Sequence, residues 1–225
     1  GSLGELCRAH GVTGVLVVRE RVTYTEPATG LEYFYHPAMV KVRLHSHQRG
    51  DRDAMVEAMD LHPGDSVLDC TLGRASDAIL CSWVVGPSGR VVGLEASPIL
   101  AALTRDAIRH HTDPSRDLTA ALRRIEAHHA DHRQYLATCP DRSFAVVYFD
   151  PLFHEPLLHS TAMAPLRALA DSSPLAPETV REACRVAGRR VVIKQRRGTP
   201  LWDMLPLTAI VKARKTRIEY GVIAV

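Results

Sequence analysis

The sequence predicts an α/β fold, a mostly parallel sheet with helices on both faces and an antiparallel hairpin strand at its C-terminal edge. Three observations predict it. From residue 66 onward, short apolar runs alternate with segments of helical spacing. Several of those runs end on an acid and pass into a turn. The chain closes on two short runs, Leu207–Val211 and Arg217–Val225, which read as a hairpin.

The elements follow in order. Val15–Val18 and Val22–Tyr24 read as short strands around a charged turn, and Pro27–Gly30 as a loop. Tyr33-Phe34-Tyr35-His36-Pro37 is an aromatic patch, followed by a basic stretch, Lys41–Arg52. Asp51–Leu61 has Met55, Ala58 and Met59 on one helical face, and His62–Asp65 is a turn. Ser66–Cys70 is a strand, Ala75–Val85 a helix, Val91–Glu95 a strand and Pro98–His110 a helix. Leu118, Ala121, Leu122 and Ile125 place a helix over Leu118–Ile125, and His128–Asp131 ends a short strand. Phe144–Asp150 is the strongest strand signal. Pro177–Ala187 is a helix with proline in its first turn and Gly188 just past its end. Arg190–Gln195 is a strand. This order divides the chain into an N-terminal extension, 1–52, and an α/β domain, 53–225.

With 225 residues, 46% of them hydrophobic, the chain can bury a substantial core. A formal charge of +3 does not point to nucleic acid without a local cluster. The five cysteines are scattered and form no CxxC pair, which suits reduced thiols in a cytoplasmic protein. No apolar run reaches the roughly 18–20 residues of a membrane span, so no membrane partner is expected. Gly1-Ser2 resembles the scar of a cleaved tag, and the natural chain is expected to begin upstream. Of the 12 histidines, His110-His111 and His128-His129 are adjacent pairs whose rings point to different faces, so no metal is expected.

The segment Val67 to Ala78 carries the first chemistry. A strand ends on Asp69, a small-residue loop follows (Thr71, Gly73, Ala75), and a helix opens at Ser76-Asp77. Small residues admit a ligand close to the backbone, and a helix N-terminus offers free N–H groups. With a single glycine, Gly73, the loop does not suggest room for a pyrophosphate. Glu95 ends the next strand about 20 residues on, the spacing at which a carboxylate takes the two ribose hydroxyls of an adenosine. Asp131, before His132, is placed to accept from an adenine amino group.

The fourth strand delivers Asp150-Pro151-Leu152-Phe153 at its C-terminal edge. A carboxylate and a carbonyl near Pro151 can accept from an exocyclic amine, and Phe153 can stack on a flat base, worth roughly 1–3 kcal/mol. With an activated methyl donor such a site needs no nucleophile, because its work is positioning.

Together, Asp69-Cys70-Thr71-Leu72-Gly73-Arg74-Ala75-Ser76-Asp77 and Tyr148-Phe149-Asp150-Pro151-Leu152-Phe153 resemble the RsmJ-like bacterial methyltransferases. The resemblance runs from about Tyr33 to the C-terminus. It implies a class I, Rossmann-like fold and S-adenosyl-L-methionine as donor. It also implies methylation of guanine N2 in small-subunit ribosomal RNA, with that RNA or the small ribosomal subunit as partner. The cofactor positions it implies are Ser76, Asp77, Glu95, Ala96, Asp131, His132 and Asp150. The chain departs from the pattern at Ala75, where a second glycine is usual, and at Ser76, where arginine is usual. These departures bear on the target nucleotide more than on the donor.

Two basic clusters complete the reading. Lys41, Arg43, Arg49 and Arg52 precede the catalytic domain, and the alternation Lys41-Val42-Arg43-Leu44-His45 suits one face of a strand. Lys194, Arg196, Arg197, Lys212, Arg214, Lys215 and Arg217 lie near the end. Each alone reads as solvated surface; both at one active-site mouth would make an RNA track. The alternatives are a protein or small-molecule amine as substrate, or a non-catalytic binding protein of the same fold.

Overall fold

The computed structural model describes residues 1–37, 39–151, 169–171, 173–214 and 216–225. The chain opens on a helix, α1 (Leu3–His10), closed at its start by a reciprocal Ser2–Glu5 capping box. Three antiparallel strands follow, β1 (Val15–Val18), β2 (Val22–Glu26) and β3 (Leu31–Phe34), in the order β1-β2-β3. The aromatic patch therefore begins as a strand, and Tyr33 packs with Tyr24 against Leu100 and Leu103.

The basic stretch is not a strand. It forms α2 (Val40–Gln48), because Val40 and Leu44, one turn apart, bury together in the main core. After it, α3 (Ala54–Met59) is shorter than predicted: the Asp53 side chain caps it, and Asp60 ends it in the left-handed conformation.

The large sheet holds β4 (Ser66–Asp69), β5 (Arg90–Glu95), β6 (Ile125–His129), β7 (Phe144–Phe149), β8 (Ala187–Arg196), β9 (Ala209–Lys212) and β10 (Ile218–Ala224). Its order is β6-β5-β4-β7-β8-β10-β9. The first five strands of that order run parallel, and β10 is antiparallel to both β8 and β9. The predicted central pairing of β4 with β7 and the closing antiparallel hairpin are both present.

Helices cover both faces. On one side lie α2, α3, α4 (Ser76–Val85) and α6 (Arg116–Arg123); on the other lie α7 (His132–Thr138) and α8 (Pro177–Val186). The strand period of two sorts the side chains: Val146 and Tyr148 face the first layer, and Val147 and Phe149 the second. Each such buried side chain contributes roughly 1.5–3 kcal/mol. That gain, repeated along the central strands, offsets the burial of polar groups at their ends. Between β5 and β6, α5 (Pro98–His110) carries Pro98 in its first turn behind the cap Ser97.

Three boundaries differ from expectation. The sixth helix stops at Arg123, and Ile125 opens β6 instead, since its backbone pairs with Val91. A helix that had not been predicted, α7, starts where Asp131 caps it. Gly188 is no helix stop: it sits inside β8, which begins directly after α8.

Candidate active site

The loop after β4 is held by main-chain bonds. Leu72 N donates to Leu94 O at 2.8 Å, and Cys70 N to Tyr148 O at 2.9 Å, so the loop is tied to β5 and β7 at once. Two left-handed residues turn it, Gly73 with φ 49° and Ala75 with φ 58°. Gly93 makes room for it, since a Cβ there would lie 2.3 Å from the Leu72 side chain.

Glu95, buried at the end of β5, closes the loop from the other side. One carboxylate oxygen accepts from Gly73 N at 2.9 Å, the other from Ser97 N at 2.8 Å. Burial pushes its carboxyl up, against those two bonds. Each oxygen keeps a second lone pair, so the same carboxylate can take a pair of vicinal hydroxyls. At the mouth of α4 the Ser76 hydroxyl is buried, without a partner among the described residues. These features fit the ribose and amino-acid ends of an S-adenosyl donor. Beside Glu95, Ala96 lines a cleft of about 520 Å³ with Tyr24, Glu26, Leu31, Ser97 and Asp171.

Asp131 and His132 lie one strand further out. Both Asp131 oxygens are taken by Arg133, including its guanidinium at 2.6 and 2.9 Å. That pairing holds the carboxyl down at about 2. His132 meets the Phe149 ring edge-on at 5.6 Å, and burial pulls its pKa down.

Asp150 follows the last residue of β7. Its N–H donates to Thr71 Oγ1 at 2.6 Å, which joins it to the loop after β4. Its Oδ2 accepts from Lys194 Nζ at 2.7 Å, and the same ammonium donates to Asp77 Oδ2 at 3.0 Å. Asp77 also accepts from Tyr148 Oη at 2.8 Å and from Arg43, which is forked onto Asp53 at 2.9 and 3.0 Å. Burial by itself would raise Asp77, but Lys194 and Arg43 outweigh it and hold the carboxyl well below the usual range. Asp150, with its share of one cation, is raised by burial. Asp69, buried behind the loop, is pushed up to about 8 by burial.

The structure thus gathers Thr71, Gly73, Glu95, Ala96 and Asp150 around the sheet edge. Asp77 faces the ion network instead of the loop. Phe153 and Leu152 lie outside the described residues, and Pro151 is the last one described before that gap. Sequence reasoning missed Arg43 and Lys194 as parts of the site. The signal for Lys194 was present: a lysine that directly extends the apolar run Val191-Val192-Ile193 within one strand is out of place unless paired. The first basic cluster is neutralised. Lys41 meets Asp113 at 2.8 Å, Arg43 meets two aspartates, Arg49 meets Asp51 at 3.6 Å, and Arg52 meets Glu57. Among the described residues no helix is long and apolar enough to cross a membrane.

Comparison with known proteins now bears on this edge. The family model described as "Putative SAM-dependent methyltransferase" matches residues 25–221. YpiP of Bacillus subtilis is 38% identical over 194 residues, which is 86% of this chain and 75% of that protein. Ribosomal RNA small subunit methyltransferase J of Hydrogenovibrio crunogenus is 28% identical over 70% of this chain and 57% of its own length. The J enzyme of Laribacter hongkongensis is 35% identical over 58% and 46%. The chain therefore spans about half the length of the J enzymes it matches. Among solved structures, a SAM-dependent methyltransferase from Neisseria gonorrhoeae superposes with TM-score 0.64 at 16% identity, over 92% of this chain and 80% of that one. At that identity the superposition speaks for the fold alone.

Proposed function

Since the chain belongs to the S-adenosylmethionine-dependent methyltransferase family, and is an enzyme of that kind using that donor, we propose that it methylates the exocyclic N2 amine of a guanine in ribosomal RNA. The observation that carries this reading is Asp150. It stands at the sheet edge, bonded through its N–H to Thr71 of the donor loop, with one carboxylate oxygen fixed by Lys194.

S-adenosylmethionine, when bound, supplies a methyl group already activated on a sulfonium. Glu95 holds the ribose hydroxyls. Thr71, Gly73, Ala75 and Ser76 line the loop side, with Asp77 behind them, while Ala96, Asp131 and His132 flank the adenine. Asp150 accepts from the substrate amine and turns the nitrogen lone pair toward the methyl position, and the carbonyl of Pro151 is the second acceptor. Phe153 stacks on the base. Once methylated, the nitrogen holds one surplus proton, and the Asp150 carboxylate is the base in reach. Burial, by raising that carboxyl, makes it the better proton acceptor.

Two observations support RNA. The J enzymes, named for small-subunit ribosomal RNA, are similar to this chain over 70% and 58% of its length. The pairing of Ile218 with Arg196 sets the β9–β10 turn at the edge where Asp150 stands, and Arg197, Lys212, Arg214 and Arg217 are exposed there. A second reading, a protein or small-molecule amine, draws on the neutralised first cluster, which leaves little charge for phosphate on that side. In the same proposal the catalytic unit is 53–225, with 1–52 as its N-terminal extension. Mass mapping of ribosomal RNA nucleosides from a strain lacking the protein tests it. Loss of one methylguanosine is expected; an unchanged map moves the assignment to the second reading.

A further inference from the structure

Lys194 is a charged side chain at a central strand position. Its neighbours Val191 and Val192 in β8 are fully buried, and the Lys194 side chain is itself 19% exposed. The pleat sets it on the same face as Val192, under α4, and its partner across β10 is Tyr220. From there Nζ reaches Asp150 Oδ2 at 2.7 Å and Asp77 Oδ2 at 3.0 Å. Asp77 is anchored independently by Tyr148 Oη and by Arg43. Asp53, Arg43, Asp77, Lys194 and Asp150 form one chain of alternating charge with one net negative charge. Among the described residues, none donates to the other Asp150 oxygen, Oδ1.

We propose that Lys194 is a positioning residue for methyl transfer: held by Asp77, its ammonium pins Asp150 Oδ2, so that Asp150 meets the substrate amine through Oδ1 in a single orientation. This rests on the reading of Asp150 as the amine acceptor. The physical reason is charge. Asp77 and Asp150 approach one point, and without the ammonium their carboxylates repel. Asp150 then swings away or takes up a proton, and either change removes the aligned acceptor. The anchoring of Asp77 by Arg43 and Tyr148 makes the pinning directional, since the ammonium is held from behind by a carboxylate that cannot follow it.

The test compares Lys194→Met, Asp150→Asn and the double variant, using ribosomal RNA from a strain lacking the protein, at saturating donor. Folding is checked by circular dichroism and donor-site integrity by calorimetry with S-adenosylhomocysteine. Lys194→Met is expected to lose about a hundredfold in kcat, the scale of a misplaced reacting group, with S-adenosylhomocysteine affinity nearly unchanged. The acid limb of its pH profile moves to higher pH, because Asp150 has lost its cation. The double variant is expected to be no slower than Asp150→Asn, since Lys194 acts only through Asp150. Lys194→Met combined with Asp77→Asn removes one charge of each sign and replaces the single variant if that one does not fold. A wild-type rate in either folded variant overturns the proposal, as do losses that simply multiply in the double variant. Carboxyl ¹³C NMR of Asp150 supplies a readout without substrate, in which its titration midpoint rises when Lys194 is replaced. An unmoved midpoint overturns the clamp even if the RNA is not a substrate, whereas a wild-type rate in Asp150→Asn overturns the reading of Asp150 itself.

Discussion

The two halves of the sheet edge are built from different materials. Around the loop after β4, the proposed donor side, the main chain is a partner in each contact: Leu72 N donates to Leu94 O at 2.8 Å and Cys70 N to Tyr148 O at 2.9 Å, the Glu95 carboxylate takes the N–H groups of Gly73 and Ser97, and Thr104 Oγ1 donates to Gly73 O at 2.7 Å. On the acceptor side they run between side chains from α2, α4, β7 and β8, namely Arg43, Asp77, Tyr148 and Lys194, and converge on Asp150. Main-chain contacts survive most side-chain changes. A buried ion chain does not, because removing one of its two cations leaves neighbouring carboxylates uncompensated. The donor side should therefore fail gradually on substitution, and the acceptor side abruptly.

Asp150→Ala is the sharpest way to break this contrast. It leaves Lys194 paired with Asp77, so the fold should hold and S-adenosylhomocysteine should still bind. Transfer to RNA is expected to fall by about 10²–10³-fold or more, the scale of losing one preorganised electrostatic contact. A folded variant at the wild-type rate in single turnover would remove Asp150 from the chemistry and leave only the donor half standing. Glu95→Ala comes next. It gives up charge-assisted bonds worth roughly 1.5–3 kcal/mol each, and calorimetry should show weaker S-adenosylhomocysteine binding; unchanged affinity would sink the ribose assignment.

An effect on stability rather than on transfer is expected at Asp69, whose carboxyl rises from 3.8 to about 8 through burial. The folded protein keeps a proton there that the unfolded chain releases. This contribution is full below about pH 4 and fades as pH climbs through about 8. Asp69→Asn keeps an oxygen for Thr71 N, now at 3.0 Å, and carries no charge. Its urea midpoint should exceed that of the wild type at about pH 9 and converge toward it near about pH 4. A difference independent of pH would speak against a buried neutral carboxyl. Ala75→Gly should change least. Glycine relieves the left-handed backbone at φ 58°, worth roughly 1–2 kcal/mol, but gives up a fully buried methyl worth roughly 0.8 kcal/mol. A small rise in melting temperature is expected, and a clear fall would show that packing dominates the loop.

The loop after β4 was legible in the sequence because its signals are local. A strand ending on Asp69, small residues to Ala75 and an acid at Glu95 lie within one strand–helix–strand unit, and the backbone connecting them leaves few arrangements. The resemblance read from that loop and from Tyr148 to Phe153 agrees with the family match. The acceptor side was only half legible. Asp150 was visible at the end of an apolar strand, but its partners were not. Arg43 was read as part of a basic strand face, and Lys194 as part of a surface cluster. Period two suits Lys41 to His45 as well as a helix does, and the choice fell to Val40 and Leu44, which had a core to enter. Similarly, nothing local in Asp131-His132 says that the aspartate caps a helix and forks onto Arg133.

By itself, then, the sequence determined the parallel sheet with its closing hairpin, the small-residue loop after β4 and the acids at the strand ends, because hydrophobic period and turn chemistry act between near neighbours. Tertiary structure decided which charges meet. Lys194 and Asp77 are separated by 117 residues, and Arg43 and Asp77 by 34. Their pairing follows from strand order and from which face of the pleat each side chain enters. A charge in a sequence carries no record of its partner, and only the packed fold, by making an unpaired buried charge costly, selects one.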